Sequence, residues 1–197
     1  MSADIARKKF EQLKSKIENG TVHSLVRRVG YGRVAEIGEE EGSSHLPTLS
    51  GQLNGFDLNF YFSPYPDGGH LLNIEARIIC PFKLRLTLEK QETKSNKFKP
   101  VYQLPVSEIE VDVKEFDERY FIETIEEEPV RKFLAIQENR KMIDELEDFD
   151  SLSFQYKHLK LLYYLEKIDG LDIDQLFKRI KLMTKMGKVL HELEVPK

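Results

Sequence analysis

The residues whose types and spacing best suit chemistry lie in one loop, Ser63-Pro-Tyr-Pro-Asp-Gly-Gly-His70. Its prolines fix φ and its glycines permit positive φ, so we expect it to connect two strands. The phenol, carboxylate and imidazole of Tyr65, Asp67 and His70 could bind a small ligand at the end of a sheet, where binding residues often collect. No catalytic residue is predicted, because the order and spacing of the loop's polar residues match no Ser-His-Asp triad. A plain hairpin connection is the alternative.

Two oppositely charged segments form the second candidate. Residues 105 to 128 hold ten Asp or Glu against two Lys or Arg, a local charge of −8, whereas residues 1 to 33 hold eight Lys or Arg against three acids, a local +5. Complementary charges of this kind steer association and fix its register. The side chains predicted to bind a protein partner, or a second copy of the chain, are Arg7, Lys8, Lys14, Glu108, Glu110 and Asp112.

The acids at 108 to 113 alternate with isoleucine and valine, which is the period expected of a half-buried strand. On such a strand Glu108, Glu110 and Asp112 would share one face at intervals of about 7 Å. Glycosidases place two carboxylates at a comparable distance. The solvent-facing side of an ordinary strand explains the same pattern, and we therefore expect the three acids to lie on a surface.

Neither a metal site nor a cofactor site is predicted. The five histidines are scattered singly, with no His-x-x-x-His or Cys-x-x-Cys pair. Cys80 is the only cysteine and cannot form an internal disulfide. The Gly30-Tyr-Gly32 stretch lacks the third glycine and the Lys-Ser/Thr ending of phosphate-binding loops.

Nucleic acid and membrane surfaces are not expected partners. The Lys-rich connection at 90 to 100 offers only Phe98 for base stacking. The basic helix predicted at 3 to 18 has a narrow apolar face without tryptophan. Because the first ten residues are charged where a signal peptide needs an apolar core, and no run of about 18 apolar residues occurs, we expect a cytoplasmic protein.

The elements that position these residues follow from periodicity. Residues 49 to 89 predict an antiparallel meander of about four strands, in which Asn54-Gly55 is typical of a type I′ hairpin turn. Alternating side chains predict a hairpin at 151 to 165, with a helix as the competing interpretation. Apolar stripes predict helices at 129 to 147 and at 172 to 192, the second starting from Asp172 as its cap.

Together these elements predict an α+β fold. We expect an antiparallel sheet of about six to eight strands, two helices packed on one face and an N-terminal amphipathic helix. Residues 1–47 would form the helix and a connecting segment, and residues 48–197 a single domain.

The order of these elements resembles that of an uncharacterised bacterial family, a domain of unknown function. The resemblance is carried by Phe116-Asp-Glu-Arg-Tyr-Phe-Ile122, an FDxxYxI strand followed by Glu-Glu-Pro and a helix, and spans roughly residues 48 to 190. It implies the fold order and assigns no activity. The expected function is therefore non-catalytic, with protein-partner binding or self-association, and the alternative is a ligand-binding or enzymatic pocket near Tyr65, Asp67 and His70.

Overall fold

The computed structural model describes residues 2–23, 26–29, 33–36, 46–65, 67–77, 85–90, 107–155 and 157–192. Three sequence features considered above lie outside these residues: the glycine stretch at 30 to 32, Cys80, and positions 91 to 100 of the Lys-rich connection.

The predicted α+β class is confirmed. Within the described residues the antiparallel sheet has nine strands, and an N-terminal helix is present. The helices are α1 (Ser2–Lys14), α2 (Lys114–Asp117), α3 (Glu127–Ala135), α4 (Gln137–Glu145) and α5 (Ile173–Glu192). The strands are β1 (Glu18–His23), β2 (Val26–Val29), β3 (Arg33–Glu36), β4 (Thr48–Leu53), β5 (Phe56–Pro64), β6 (His70–Arg77), β7 (Arg85–Lys90), β8 (Ser107–Glu108), β9 (Tyr120–Thr124), β10 (Ser151–Gln155) and β11 (His158–Leu165). Strands β2 and β3 pair separately from the sheet.

The chain divides into two compact units. The first unit holds Met1–Glu75 and Tyr164–Lys181, and the second holds Ala76–Tyr163 and Leu182–Lys197. In the first unit the hydrogen-bonded strand order is β1-β4-β5-β6, and in the second it is β11-β10-β7-β9-β8. The last two residues of β6 belong to the second unit, and the last two residues of β11, Tyr164 and Leu165, belong to the first.

The turn between β4 and β5 forms as its sequence predicts. Leu53 pairs with Phe56, which leaves two residues for the turn. Asn54 has φ 54° and Gly55 has φ 82°, and a type I′ turn requires positive φ at both positions. The turn sets the register that buries Leu58 and Phe60 in the first unit.

Helix α1 packs its apolar face within the first unit. Ala6, Phe10 and Leu13 are fully buried, and the Phe10 ring stacks on Phe62 of β5 at 5.0 Å between centroids. The helix ends at Lys14, earlier than predicted, and β1 follows it and pairs with β4. Residues 21 to 23 were expected in a connection, but they lie in this strand. Because β1 is an edge strand with no buried side chain, its sequence shows no apolar alternation.

The predicted hairpin at 151 to 165 is confirmed in the second unit. Gln155 pairs with His158, and the register continues to Ser151 opposite Leu162. Strand β10 also pairs with β7, so it is bonded along both sides. The alternating side chains Leu152, Leu159 and Leu161 are buried, which is the pattern that favoured strands over a helix.

The strand predicted from the alternating residues at 108 to 113 does not form beyond Glu108. Strand β8 contains only Ser107 and Glu108, and the chain then becomes irregular, with Asp112 at φ 59°. The second predicted strand begins later than expected, since α2 occupies Lys114–Asp117 and β9 starts at Tyr120. The regular 7 Å face of three carboxylates therefore does not form.

The helix predicted over 129 to 147 is two helices. Ile136 separates α3 from α4 in an extended conformation, with φ −76° and ψ 119°. The buried Asn139 side chain donates a hydrogen bond to the Phe133 carbonyl at 2.8 Å, and the Arg140 guanidinium donates one to the Leu134 carbonyl. These polar side chains satisfy carbonyls at the end of α3 that would otherwise lack partners, so the break is stable.

Helix α5 starts where the sequence predicts. The Asp172 carboxylate oxygen Oδ1 accepts hydrogen bonds from the backbone N–H groups of Asp174 and Gln175, at 2.9 and 3.0 Å. The bond from Gln175 is the main reason that the pKa of Asp172 is lowered. None of the helices within the described ranges has the length and apolarity needed to cross a membrane.

Candidate functional site

The loop after β5 is a tight turn. The Tyr65 N–H donates to the Gly69 carbonyl at 3.0 Å, and the Gly68 N–H donates to the Tyr65 carbonyl at 3.0 Å. Gly68 has φ +90°, a conformation that favours glycine. The loop is therefore the hairpin connection that the sequence offered as the alternative. Its backbone fixes the positions of Tyr65 and Asp67.

Tyr164 of β11 meets this loop within the first unit. Its hydroxyl donates a hydrogen bond to Asp67 Oδ2 at 2.8 Å, and its ring meets the Tyr65 ring edge-on at 5.1 Å between centroids. The other oxygen, Asp67 Oδ1, accepts the Gly69 N–H at 2.8 Å. Two of the three predicted ligand-binding residues, Tyr65 and Asp67, are therefore brought together by a third side chain 97 residues along the chain from Asp67. We call Tyr65, Asp67, Gly69 and Tyr164 the Tyr164 cluster.

Gly69 makes this arrangement possible through its lack of a side chain. A Cβ atom at this position would lie 2.6 Å from Cε2 of Tyr164, closer than real Cβ contacts come. The buried backbone of Gly69 thus forms the surface against which the Tyr164 ring rests.

The cluster is acidic and open to solvent. The hydrogen bond to Asp67 is the main reason that the pKa of Tyr164 is raised, with smaller contributions from burial and from the charges of Asp67 and Glu166. Asp67 and Glu166 are exposed, and Tyr164 retains 37% exposure, one of the largest among the apolar and aromatic residues described.

His70 lies at the start of β6 and is half-buried. Its Nδ1 atom is buried and has no hydrogen-bond partner among the described residues. Over those same residues no group of three His, Cys, Asp or Glu side chains is arranged to hold a metal ion. The involvement of His70 in a ligand site stays a prediction.

Sequence reasoning missed Tyr164. It lies on the opposite parity of β11 from the buried Leu161 and Tyr163, so the strand pattern placed it toward solvent. The sequence signal for Tyr164 was a tyrosine on the solvent-facing side of a strand, because a large aromatic side chain there usually needs a partner.

The second candidate, the acidic segment, is held by Asp117. Its two carboxylate oxygens accept the backbone N–H groups of Val111 and Val113, both at 2.9 Å. The Arg131 guanidinium donates a hydrogen bond to the Glu110 carbonyl. The irregular stretch after β8 is therefore fixed from two sides.

The acids predicted to bind a partner all point outward from this stretch. Glu108, Glu110 and Asp112 are exposed, although they do not lie on a common strand. We call these three residues the acidic surface. The predicted basic residues Arg7, Lys8 and Lys14 are likewise exposed, on α1 of the first unit. Partner binding by either set stays a prediction.

A polar network in the second unit joins the buried Tyr120 of β9 to the half-buried Asp144 and the exposed Arg119. The Tyr120 hydroxyl donates to Asp144 Oδ1 at 3.0 Å, and Arg119 Nη2 donates to Asp144 Oδ2 at 3.0 Å. Burial, followed by the charge of Asp144 and this hydrogen bond, raises the pKa of Tyr120 far above its ordinary value. The network joins β9 to α4. Its role is structural, since the Tyr120 ring is also stacked on the Phe149 ring at 5.7 Å between centroids.

Comparisons with known proteins bear on the fold. No family model matches the chain, and no curated protein matches it in sequence. Among solved structures, the chain is similar to the crystal structure of the mycobacterial trehalose monomycolate transport factor A, TtfA, with a TM-score of 0.57. The similarity covers 98% of each chain at 10% sequence identity, and at that identity it supports the fold alone.

Proposed function

We propose that this chain is a cytoplasmic, non-catalytic protein that binds a basic protein partner through the acidic surface of Glu108, Glu110 and Asp112. The observation that carries the proposal is that three exposed carboxylates project from a backbone stretch clamped by Asp117 and Arg131. Such a stretch loses little conformational freedom when a partner binds, so more of the electrostatic attraction is available as affinity.

A second copy of the chain is the partner that the charges favour first. Arg7, Lys8 and Lys14 are exposed on α1, while the apolar residues of this helix, Phe10 and Leu13, are fully buried in the first unit. The exposed side of α1 therefore carries these three basic side chains, of which Lys14 pairs with Glu11 of the same helix at 3.4 Å. The same burial argues against insertion of α1 into a lipid surface, since the helix would first have to unpack.

Charge reversal is the appropriate test, because removing α1 would expose the core of the first unit. We expect Glu110→Lys with Asp112→Lys, and separately Arg7→Glu with Lys8→Glu, to abolish self-association. Mixing the two double variants should restore association through the exchanged charges. Mass in solution would be measured by light scattering at about 50 mM and about 500 mM salt, since surface pairs weaken as the screening length shortens.

The matched control is Glu138→Lys, which reverses one exposed acid on α4 outside the acidic segment and should leave association unchanged. A wild-type chain that remains monomeric at both salt concentrations would exclude self-association. If, in addition, Glu110→Lys with Asp112→Lys retained every protein that the wild type captures from its host, the acidic surface would have no partner.

The alternative is small-ligand binding near Tyr65, Asp67 and His70, and the convergence of Tyr65 and Asp67 on Tyr164 favours it. Binding suits this geometry better than catalysis, because the Asp67 carboxylate already accepts two hydrogen bonds and the Tyr164 hydroxyl is engaged with it. A screen of metabolites by their effect on thermal unfolding, repeated with Asp67→Asn, tests this alternative.

Membership of the uncharacterised bacterial family with the FDxxYxI motif stays part of the proposal.

A further inference from the structure

The Tyr164 cluster combines features that recognise a cation. The Tyr65 and Tyr164 rings are 5.1 Å apart between centroids in an edge-on arrangement, and the Asp67 carboxylate lies at the hydroxyl end of Tyr164 through a 2.8 Å hydrogen bond. An aromatic ring face attracts a cation through its quadrupole, and an adjacent carboxylate adds charge and hydrogen-bond acceptors.

Acceptor capacity remains at this site. A carboxylate has about four lone-pair positions on its two oxygens. Asp67 uses one of them for the Gly69 N–H and one for the Tyr164 hydroxyl, which leaves each oxygen able to accept another donor. Glu166, also exposed, adds negative charge that acts on Tyr164.

We propose that the Tyr164 cluster binds the guanidinium group of an arginine side chain presented by a protein partner. A planar guanidinium can stack on the exposed Tyr164 ring while its N–H groups donate to the Asp67 carboxylate. A lysine ammonium is more strongly hydrated and makes no flat contact with the ring, so it binds less well.

The shape of the cluster favours a side chain delivered by a protein over a free small molecule. Tyr164 and Asp67 are both exposed, and a shallow exposed site buries little of any ligand. An arginine that belongs to a larger interface gains the rest of its affinity elsewhere, so a single stacked contact is sufficient there. The Tyr164 cluster shares no residue with the acidic surface.

The test uses the full chain and a capped Gly-Arg-Gly tripeptide as the probe. Tyrosine ring signals would be followed by NMR during titration, with weak binding, a Kd of about 1 mM or above, expected for so small a probe. The same peptide with citrulline, which is uncharged and has nearly the same shape, should bind at least tenfold more weakly because it lacks the charge. Tyr164→Ala should weaken the arginine peptide by about threefold, and Asp67→Asn by about tenfold.

The matched control is Tyr61→Phe. Tyr61 also belongs to the first unit and donates to a carboxylate, Glu75 Oε1, at 2.7 Å, but it lies outside the cluster. It should leave the titration unchanged. Unchanged Tyr164 ring signals at saturating peptide, or equal binding of the arginine and citrulline peptides, would overturn the proposal without any variant. Tighter binding of tetramethylammonium than of the arginine peptide would also overturn it, since that ion cannot donate to Asp67.

Discussion

Asp117→Ala should release the stretch that carries the acidic surface. In the native chain the two oxygens of Asp117 accept the N–H groups of Val111 and Val113 at 2.9 Å each. Hydrogen bonds to a charged group each contribute about 1.5 to 3 kcal/mol. Because Asp117 and both valines are only half-buried, water replaces part of this contribution, and we expect a net loss of about 2 kcal/mol.

Hydrogen exchange of the Val111 and Val113 amides measures this loss where it arises. Since about 1.4 kcal/mol is a factor of ten in an equilibrium constant, the two amides should exchange about 30-fold faster in the variant. A local readout is preferable to a single unfolding midpoint, because a chain with two compact units need not unfold in one step. Asp117→Asn should give a smaller effect, since one amide oxygen can still accept one of the two N–H groups.

Glu118→Ala is the neighbouring control. Glu118 pairs with Lys114 at 3.8 Å, and both side chains are mostly exposed, so its removal should change stability by about 0.5 kcal/mol or less. If the two amides exchange at the wild-type rate in Asp117→Ala, the carboxylate does not hold this stretch. The acidic surface would then not be pre-formed.

Two further changes test other contacts. Gly69→Ala should push the Tyr164 ring away from the Asp67 carboxylate, because the new Cβ would lie 2.6 Å from Cε2 of that ring. With the hydrogen bond lost, the raised pKa of Tyr164 should fall toward about 10 in a spectroscopic titration. Gly170→Ala, which meets no atom within 4 Å, is the control, and an unchanged Tyr164 pKa in Gly69→Ala would contradict the contact. Tyr120→Phe should make the free energy of unfolding fall less steeply as the pH rises above 10. Because burial and Asp144 raise the folded pKa of Tyr120 above its unfolded value of about 10, its contribution is complete below pH 10 and is lost as pH rises toward the folded value, by up to about 1.4 kcal/mol per pH unit. The measurement is stability against pH, followed by circular dichroism. If stability falls equally steeply above pH 10 in the wild type and in Tyr120→Phe, the Tyr120 phenol is not held neutral.

Local signals predicted the parts of the fold that local interactions determine. The Asn54-Gly55 turn needs only two residues with positive φ, and the pair supplies them. The hairpin at 151 to 165 follows from a change of parity around its turn, and its register agrees with that change. Asp172 caps α5 through bonds to residues two and three positions away.

The errors occur where distant or polar contacts decide the structure. Nothing in the apolar stripe of residues 129 to 147 marks a break, because the break is stabilised by Asn139 and Arg140, which bond to carbonyls of the preceding helix. Strand β1 was missed for the opposite reason, since an exposed edge strand needs no apolar alternation.

The acidic segment shows why an alternating pattern is insufficient evidence for a strand. Ile109 is buried and Glu108 and Glu110 are exposed, as a strand would require, yet the chain is irregular and Asp112 has positive φ. The N–H groups of Val111 and Val113 bond to the Asp117 side chain instead of to a neighbouring strand, whereas the Ile109 N–H still donates to the Ile122 carbonyl of β9 at 3.0 Å. Alternation indicates only which side chains are buried. A carboxylate can accept the backbone N–H hydrogen bonds that a neighbouring strand would accept in a sheet.

The same distinction applies to the candidate sites. Residue type and loop chemistry selected Tyr65 and Asp67 as candidates, because a turn rich in proline and glycine exposes polar side chains. Their chemistry depends on Tyr164, whose position follows from the fold, and on Gly69, which leaves room for its ring. A carboxylate alone on this loop would be an ordinary solvated group. The preference for cations that we propose arises when this carboxylate is joined to two aromatic rings, so it is a property of the assembled unit that no single segment of the sequence contains.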